Sequence, residues 1–499
     1  MKTSEAIRWK KRGESEWVRR CTGLERFLWL SEQRFHEANI LLNVLVRHKT
    51  EEAPRVNDRL RAAWLALYMQ VPSLSTTLNK NDDNVIEAKY RQLVRPDEIE
   101  HWLSGTFRTH PALQCTTEDD AWAQLDLLRE EIANEGISRA EDKGHVGFID
   151  VVPCAKDLTG LIFRLDHGAF DGTGSFMLVD ALLKHYIKQT RVNLKASNGV
   201  IGKPLPAPSL LSYVNESILD ADNSKTLQSL FESRPAQEQL NHLLSPIELL
   251  KHATKVTSKR LTFSQEETSK LLQRAREHQV SISQIIVATH LVPVLKRYPI
   301  QEDAAEKGKT RIQFTSPINV RPLLSAGGKN EAAKSSFGSE VVLLDYHVAI
   351  SDITKSLCGG HRVQRKEDIE CLLRLAHQVD QQNKDLPRTF ESAMSVFNSL
   401  GENIPEPKIG EPATDMLNPF IVSDGLLERF VSRQYSDALE VLGAHTIVNL
   451  QQAFIGLRSI TFRDRLTLTA NYNEEVWKGV DLSTFLDDWA DALRAVLLT

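Results

Sequence analysis

A strand that runs into a histidine turn and then into a helix is the feature that most constrains this chain. The alternating run Leu161-Ile162-Phe163-Arg164-Leu165-Asp166 reads as a strand, and the stripe Phe176, Val179, Leu182, Leu183, Tyr186 and Ile187 reads as a buried helix face. Between them lies HGAFDG, His167 to Gly172. A histidine followed three residues later by Asp-Gly, at such a junction, is one way to present a general base. A near-neutral imidazole takes a proton from a group such as an alcohol at physiological pH and so activates its oxygen as a nucleophile. The same residues also suit a polar turn that closes a strand, with His167 as a loop histidine. The amides of Gly172 to Gly174 open the helix and are suited either to orienting an oxyanion or to capping alone. Gly172 is expected to ease a tight turn after Asp171.

With 499 residues the chain exceeds one ordinary core, so two α/β halves are expected. The division is 1–205 for an N-terminal half carrying the motif, 206–254 for a helical crossover, and 255–499 for a C-terminal half. Helices are predicted over Asn57 to Val71, stopped by Pro72, and over Ala121 to Ala133. A strand from Val146 to Val152 precedes the strand that delivers His167. The crossover holds Pro204, Pro206 and Pro208, with mixed helix over 209–250. The second half opens with a strand from Arg260 to Phe263 and a capping box, Ser264 with Glu267. A single buried helix is predicted from Ser283 to Tyr298. Further strands are predicted over Ile312 to Thr315, Glu340 to Val348, Phe454 to Phe462 and Leu466 to Tyr472, then a closing helix through Phe485, Trp489 and Val496.

A net charge of -5 gives no electrostatic case for nucleic acid or an anionic membrane. The basic start (Arg8, Lys10, Lys11, Arg12) is not followed by an apolar segment, and no apolar run reaches membrane-spanning length. Five scattered cysteines suit a reduced, cytoplasmic protein. There is no G-x-S-x-G elbow and no phosphate-binding G-x-x-x-x-G-K-[ST] loop, and no histidine or cysteine spacing supports a metal.

HGAFDG in this layout resembles the superfamily built on the chloramphenicol acetyltransferase fold, which includes plant BAHD acyltransferases and nonribosomal peptide condensation domains. The resemblance extends through DRLRAAWLALYMQVPSL (Asp58 to Leu74), SQEETSKLLQRAREHQVSISQIIVA (Ser264 to Ala288) and LTLTANYNEEVW (Leu466 to Trp477). It includes SPINVRPLL (Ser316 to Leu324), whose Asn319 and Arg321 match the N-x-R element. With GLERF (Gly23 to Phe27), the chain looks most similar to fungal secondary-metabolite acetyltransferases of the trichothecene 15-O-acetyltransferase kind.

The resemblance implies two acyltransferase-like subdomains, mixed sheets with packed helices, and a channel at their interface with His167 in its middle. Thioester would enter from one face and acceptor from the other. Asp171 would pair with Arg321 and hold the turn. The DFGWG element of plant members is absent, and Ser423-Asp424-Gly425 stands about where a segment crossing between the halves would fall. Asn319, Ser423 and Gly425 are candidate substrate-binding residues, while Lys329 and Lys334 suit either contacts to CoA phosphates or, as is more usual for loop lysines, plain solvation. The expected reaction is O-acetylation of a fungal metabolite by a monomer, with acetyl-CoA or another acyl-CoA as co-substrate and no bound cofactor or metal. A carrier-protein thioester as donor, an amine as nucleophile, and a non-catalytic binding role stay open.

Overall fold

The computed structural model describes residues 2–35, 39–93, 95–134, 144–188, 211, 216–219, 247–248, 255–300, 311–322, 337–363, 365–403, 412–413, 420–450, 455–475 and 481–497. Two six-stranded sheets organise the chain. The first runs Gln434–Ser436, Leu439–Val448, Asn39–His48, Leu158–Asp166, Gly147–Pro153, Phe107–Thr109. The second runs Val256–Thr262, Arg465–Asn473, Gly456–Phe462, Phe420–Leu426, Arg311–Asn319, Val341–Ala349. Phe420–Leu426 is parallel to both of its neighbours, which makes the second sheet mixed.

The strand that carries His167 at its end is buried along its whole length. Its alternate side chains serve two layers, as a period of two requires. Leu161, Phe163 and Leu165 pack with Trp64, Leu67, Leu178 and Val179 from the helices Ala53–Gln70 and Gly172–Lys188. Leu158 and Ile162 pack with Trp122 and Leu125 of the helix Glu118–Asn134. The second sheet sets one apolar face, with Leu457, Leu466, Leu468 and Tyr472, against Trp489 and Leu493 of the closing helix Leu482–Leu497.

The capping box forms: Ser264 Oγ accepts from the Glu267 amide at 3.1 Å, and the Glu267 carboxylate accepts from the Ser264 amide at 2.9 Å. Two expectations change. The single helix over Ser283 to Tyr298 is instead Ile282–Thr289 followed by Leu291–Arg297. Pro293 has no amide to offer the Thr289 carbonyl and its ring crowds that turn, so the helix breaks at His290. The C-terminal part is also not one self-contained half. Its strand Leu439–Val448 pairs antiparallel with Asn39–His48, from Leu439 opposite His48 to Val448 opposite Ile40. That pairing covers what would otherwise be an open edge of the first sheet, so residues 434–448 belong to the first subdomain.

A polar seam joins the two sheets. Arg465–Asn473 alternates Leu466, Leu468, Ala470 and Tyr472 on its apolar face with Thr467, Thr469, Asn471 and Asn473 on the other, and both sets are buried. The helix Glu118–Asn134 bridges the seam. Its Asp126 carboxylate accepts from Arg260 Nε at 2.7 Å, Arg129 donates to Ser258 Oγ at 2.7 Å, and Arg260 also meets His445 Nε2 at 3.2 Å. The crossover 206–254 lies largely outside the described residues, as does nearly all of its predicted mixed helix over 209–250. Among the described residues no single helix is long and apolar enough to cross a membrane.

Candidate active site

The HGAFDG turn is held from both ends. At the strand end, the Asp166 carboxylate accepts from the Gly168 amide at 2.8 Å, and the Asp166 carbonyl accepts from the amides of Ala169 and Phe170. Phe170 is fully buried in the core of the first subdomain and anchors the turn. At the helix end, Asp171 is the N-cap: its Oδ1 accepts from the Gly174 amide at 2.6 Å, and its carbonyl accepts from Ser175. A carboxylate there satisfies an otherwise free amide and complements the positive end of the helix. The Gly174 amide is thereby engaged in capping.

Asp171 meets Arg321 across 150 residues of sequence, with one oxygen to each guanidinium nitrogen at 2.8 and 3.0 Å. The Glu340 amide adds a bond to Oδ2 at 2.7 Å, so each carboxylate oxygen accepts twice. Asp171 has 0% of its surface exposed and Arg321 4%, so water screens little of this pair. Arg321 is fixed in turn by the Gly338 carbonyl at 2.6 Å and by Asn319 Oδ1 at 3.2 Å. Asn319 also donates to Thr173 Oγ1 at 3.2 Å. Its carboxamide thus ties the second sheet to the first turn of the His167 helix.

His167 projects from this turn, half-buried, with Nδ1 enclosed and lacking an aligned hydrogen-bond partner. Burial pushes its pKa below the ordinary histidine value, and the nearby Arg458 cation acts in the same direction. The backbone of its own turn and the Asp171 carboxylate oppose that shift. A resting neutral imidazole is the form that accepts a proton.

The remaining candidates divide. Gly172 is not among the glycines in the left-handed region. A Cβ there would lie 3.3 Å from Arg458 Nη2 and 3.4 Å from Asp424 Oδ1. Gly174 is the sterically demanding glycine, since a Cβ would come within 2.2 Å of the Phe337 carbonyl oxygen. Ser423 donates to Ser283 Oγ at 2.8 Å and accepts from Ser459 Oγ at 3.2 Å. Gly425, at φ +71°, sits at the shift of register between Phe420–Leu426 and Gly456–Phe462. Lys329 and Lys334 lie outside the described residues.

Two charges that were not among the candidate residues complete the site. Asp424, the middle residue of Ser-Asp-Gly, and Arg458, on the neighbouring strand, approach with Nε to Oδ2 at 3.3 Å. Burial raises the Asp424 pKa while Arg458 lowers it and Asp171 raises it further. One signal was available in the sequence: an arginine inside the otherwise apolar and small strand GLRSITF. A charge buried at such a place needs a partner.

No protein-family model matches the sequence, and no curated protein is significantly similar to it. Solved structures do match over nearly the whole length. Trichothecene 15-O-acetyltransferase from Fusarium sporotrichioides superposes with a TM-score of 0.76 at 14% identity, covering 99% of this chain and 98% of that one. Polyketide synthase associated protein 5 from Mycobacterium tuberculosis gives 0.58 at 14% identity, with 98% and 100% covered. The first condensation domain of the calcium-dependent antibiotic synthetase gives 0.61 at 12% identity, with 96% of each covered. The likeness is one of fold: this chain has the two-subdomain, chloramphenicol acetyltransferase-like architecture of that group.

Proposed function

We propose that the chain is an acyltransferase that moves an acyl group, acetyl first among them, from a CoA thioester to a hydroxyl of a small secondary metabolite. The observation that carries this reading is the half-buried His167, biased toward its neutral form on a turn locked by the Asp171–Arg321 pair. Its Nδ1 is enclosed, which leaves Nε2 for the substrate. In the first step the Nε2 lone pair takes the hydroxyl proton as the oxygen bonds to the thioester carbonyl carbon. The tetrahedral intermediate then expels the sulfur: the C–S bond breaks, the ester forms, and the imidazolium returns its proton to the thiolate. Neither an acyl-enzyme nor a metal has a role in this sequence. Asp171 and Arg321 touch no reacting atom and act as positioning residues. The structural likeness to a trichothecene 15-O-acetyltransferase supports the choice of a hydroxyl acceptor and an acetyl donor.

The test is purified full-length protein with acetyl-CoA and a panel of terpenoid and polyketide alcohols, reading free CoA with a thiol reagent. Acceptor-dependent release that falls by about 100-fold or more in His167→Ala is the expected result. Release that persists in the variant removes His167 from the role of base. If acyl-pantetheine on a carrier protein is turned over while acetyl-CoA is not, the donor is a carrier thioester, as the likeness to condensation domains allows.

A further inference from the structure

Arg458 and Asp424 form a charged pair inside the second subdomain, yet they lie beside the first residue of the His167 helix. Their side chains are only 10% and 8% exposed. The register shift at Ser423/Gly425, with Gly425 in the left-handed region, brings Asp424 beside Arg458. A Cβ added at Gly172 would lie 3.3 Å from the guanidinium and 3.4 Å from the carboxylate, so the ion pair stands over the open side of this glycine across the seam. Arg458 Nη1 and Asp424 Oδ2 are both enclosed without a well-formed hydrogen bond. A buried guanidinium that is only partly matched by its carboxylate leaves a net positive field on its surroundings.

We propose that the Asp424–Arg458 pair is the wall of the base site contributed by the second subdomain, and that Arg458 is a positioning residue whose positive charge acts on His167 across the seam. This rests on the reading of His167 as a base for its consequence in turnover, though not for its measurement. The charges that act on the imidazole are Asp171 at the helix start and Arg458 across the seam; Asp171 is held by Arg321 and the Glu340 amide, Arg458 is paired with Asp424, and Asp166 closes the strand end of the turn. Asp171 favours the imidazolium, but Arg321 holds both of its oxygens. Arg458 opposes the imidazolium, and Asp424 moderates Arg458.

The sign follows directly. Removing the Arg458 cation makes protonation of His167 easier and moves its midpoint up. Removing the Asp424 charge leaves Arg458 less compensated and moves the midpoint down.

The experiment is a pH titration of the His167 Cε1–H resonance in the full chain with labelled histidine, assigned by its loss in His167→Gln. Arg458→Gln is expected to raise the midpoint by about half a unit to one unit, Arg458→Lys to leave it within about 0.3 unit, and Asp424→Asn to lower it. An unchanged midpoint in a folded Arg458→Gln protein overturns the proposal. So does a lysine variant that shifts as far as the glutamine variant, since shape rather than charge would then be responsible. If Arg458→Gln does not fold, Asp424→Asn decides, with a downward shift supporting the proposal and no shift or an upward one refuting it. A set of shifted midpoints in a protein that transfers no acyl group upholds this inference and removes the acyltransferase reading instead.

Discussion

Asp171→Asn is the substitution for which the structure gives the most definite expectation. The carboxylate has 0% of its surface exposed and accepts four hydrogen bonds: Arg321 Nη2 and the Gly174 amide at Oδ1, Arg321 Nη1 and the Glu340 amide at Oδ2. Whichever way the carboxamide turns, its amino group faces two donors. Two hydrogen bonds are lost, one of them from Arg321, and the 4%-exposed cation no longer faces a negative charge. Leaving a buried charge without its partner costs about 3–5 kcal/mol. The Arg321→Met variant should cost a similar amount by leaving the carboxylate uncompensated. In the double variant neither charge remains, so the two losses should fall short of adding by about 2–3 kcal/mol. Urea unfolding followed by tryptophan fluorescence measures all three variants, and hydrogen exchange at the Gly174 and Glu340 amides localises the effect. Single losses below about 1 kcal/mol, or strict additivity, would refute the view that this pair locks the His167 turn.

Two further expectations concern the same scaffold. Gly174→Ala forces a Cβ to within 2.2 Å of the Phe337 carbonyl oxygen, a contact between backbone and side chain that only a shift of the helix start relieves. It should cost about 1–3 kcal/mol and lower acyl transfer, and a variant with wild-type stability and rate contradicts the close approach. Stability should also fall below pH 6.5. Burial holds His290 at a pKa of about 4 and His445 at about 3, with Arg260 adding to the shift at His445. Above pH 6.5 neither the folded nor the unfolded chain binds these protons. As pH falls, the unfolded chain binds them first, so stability drops by up to about 1.4 kcal/mol per pH unit for each histidine until its folded pKa is reached. His445→Gln should flatten that slope between pH 6 and 4, measured from urea midpoints, and an unchanged slope would mean that His445 is not held neutral.

What the sequence conveyed depended on how local each structural cause was. The strand into HGAFDG, the capped helix after Ser264 and the helix stopped at Pro72 all follow from neighbours within a few positions, and all are present. The identity of the Asp171 partner came from the resemblance of Asn319 and Arg321 to a known element, since nothing within the turn points 150 residues ahead. The break at His290 has a local cause in Pro293, although the apolar run on either side is continuous. The membership of Leu439–Val448 in the first sheet was not readable, because pairing between remote strands is set by which edge is left uncovered.

The Leu466-Thr467-Leu468-Thr469-Ala470-Asn471-Tyr472-Asn473 run shows why the site itself was only half legible. Alternation of this kind ordinarily means one face on a core and one in water. Here the threonine and asparagine face is buried, because a second sheet and the bridging helix Glu118–Asn134 cover it. Polar side chains survive burial only with hydrogen bonds, and Thr467 with Thr262 at 3.0 Å and Asn471 with the Val448 carbonyl at 2.8 Å supply them. The two subdomains therefore meet through polar faces. A charge placed on either face, such as Arg458, acts over a short distance through poorly screened surroundings. On the proposed reading of His167 as a base, a cation fixed in the second sheet acts on its protonation, so part of that control depends on how the subdomains sit together. That coupling lies in no single motif, and it is why removing one charge from Gly456–Phe462 should be felt at His167.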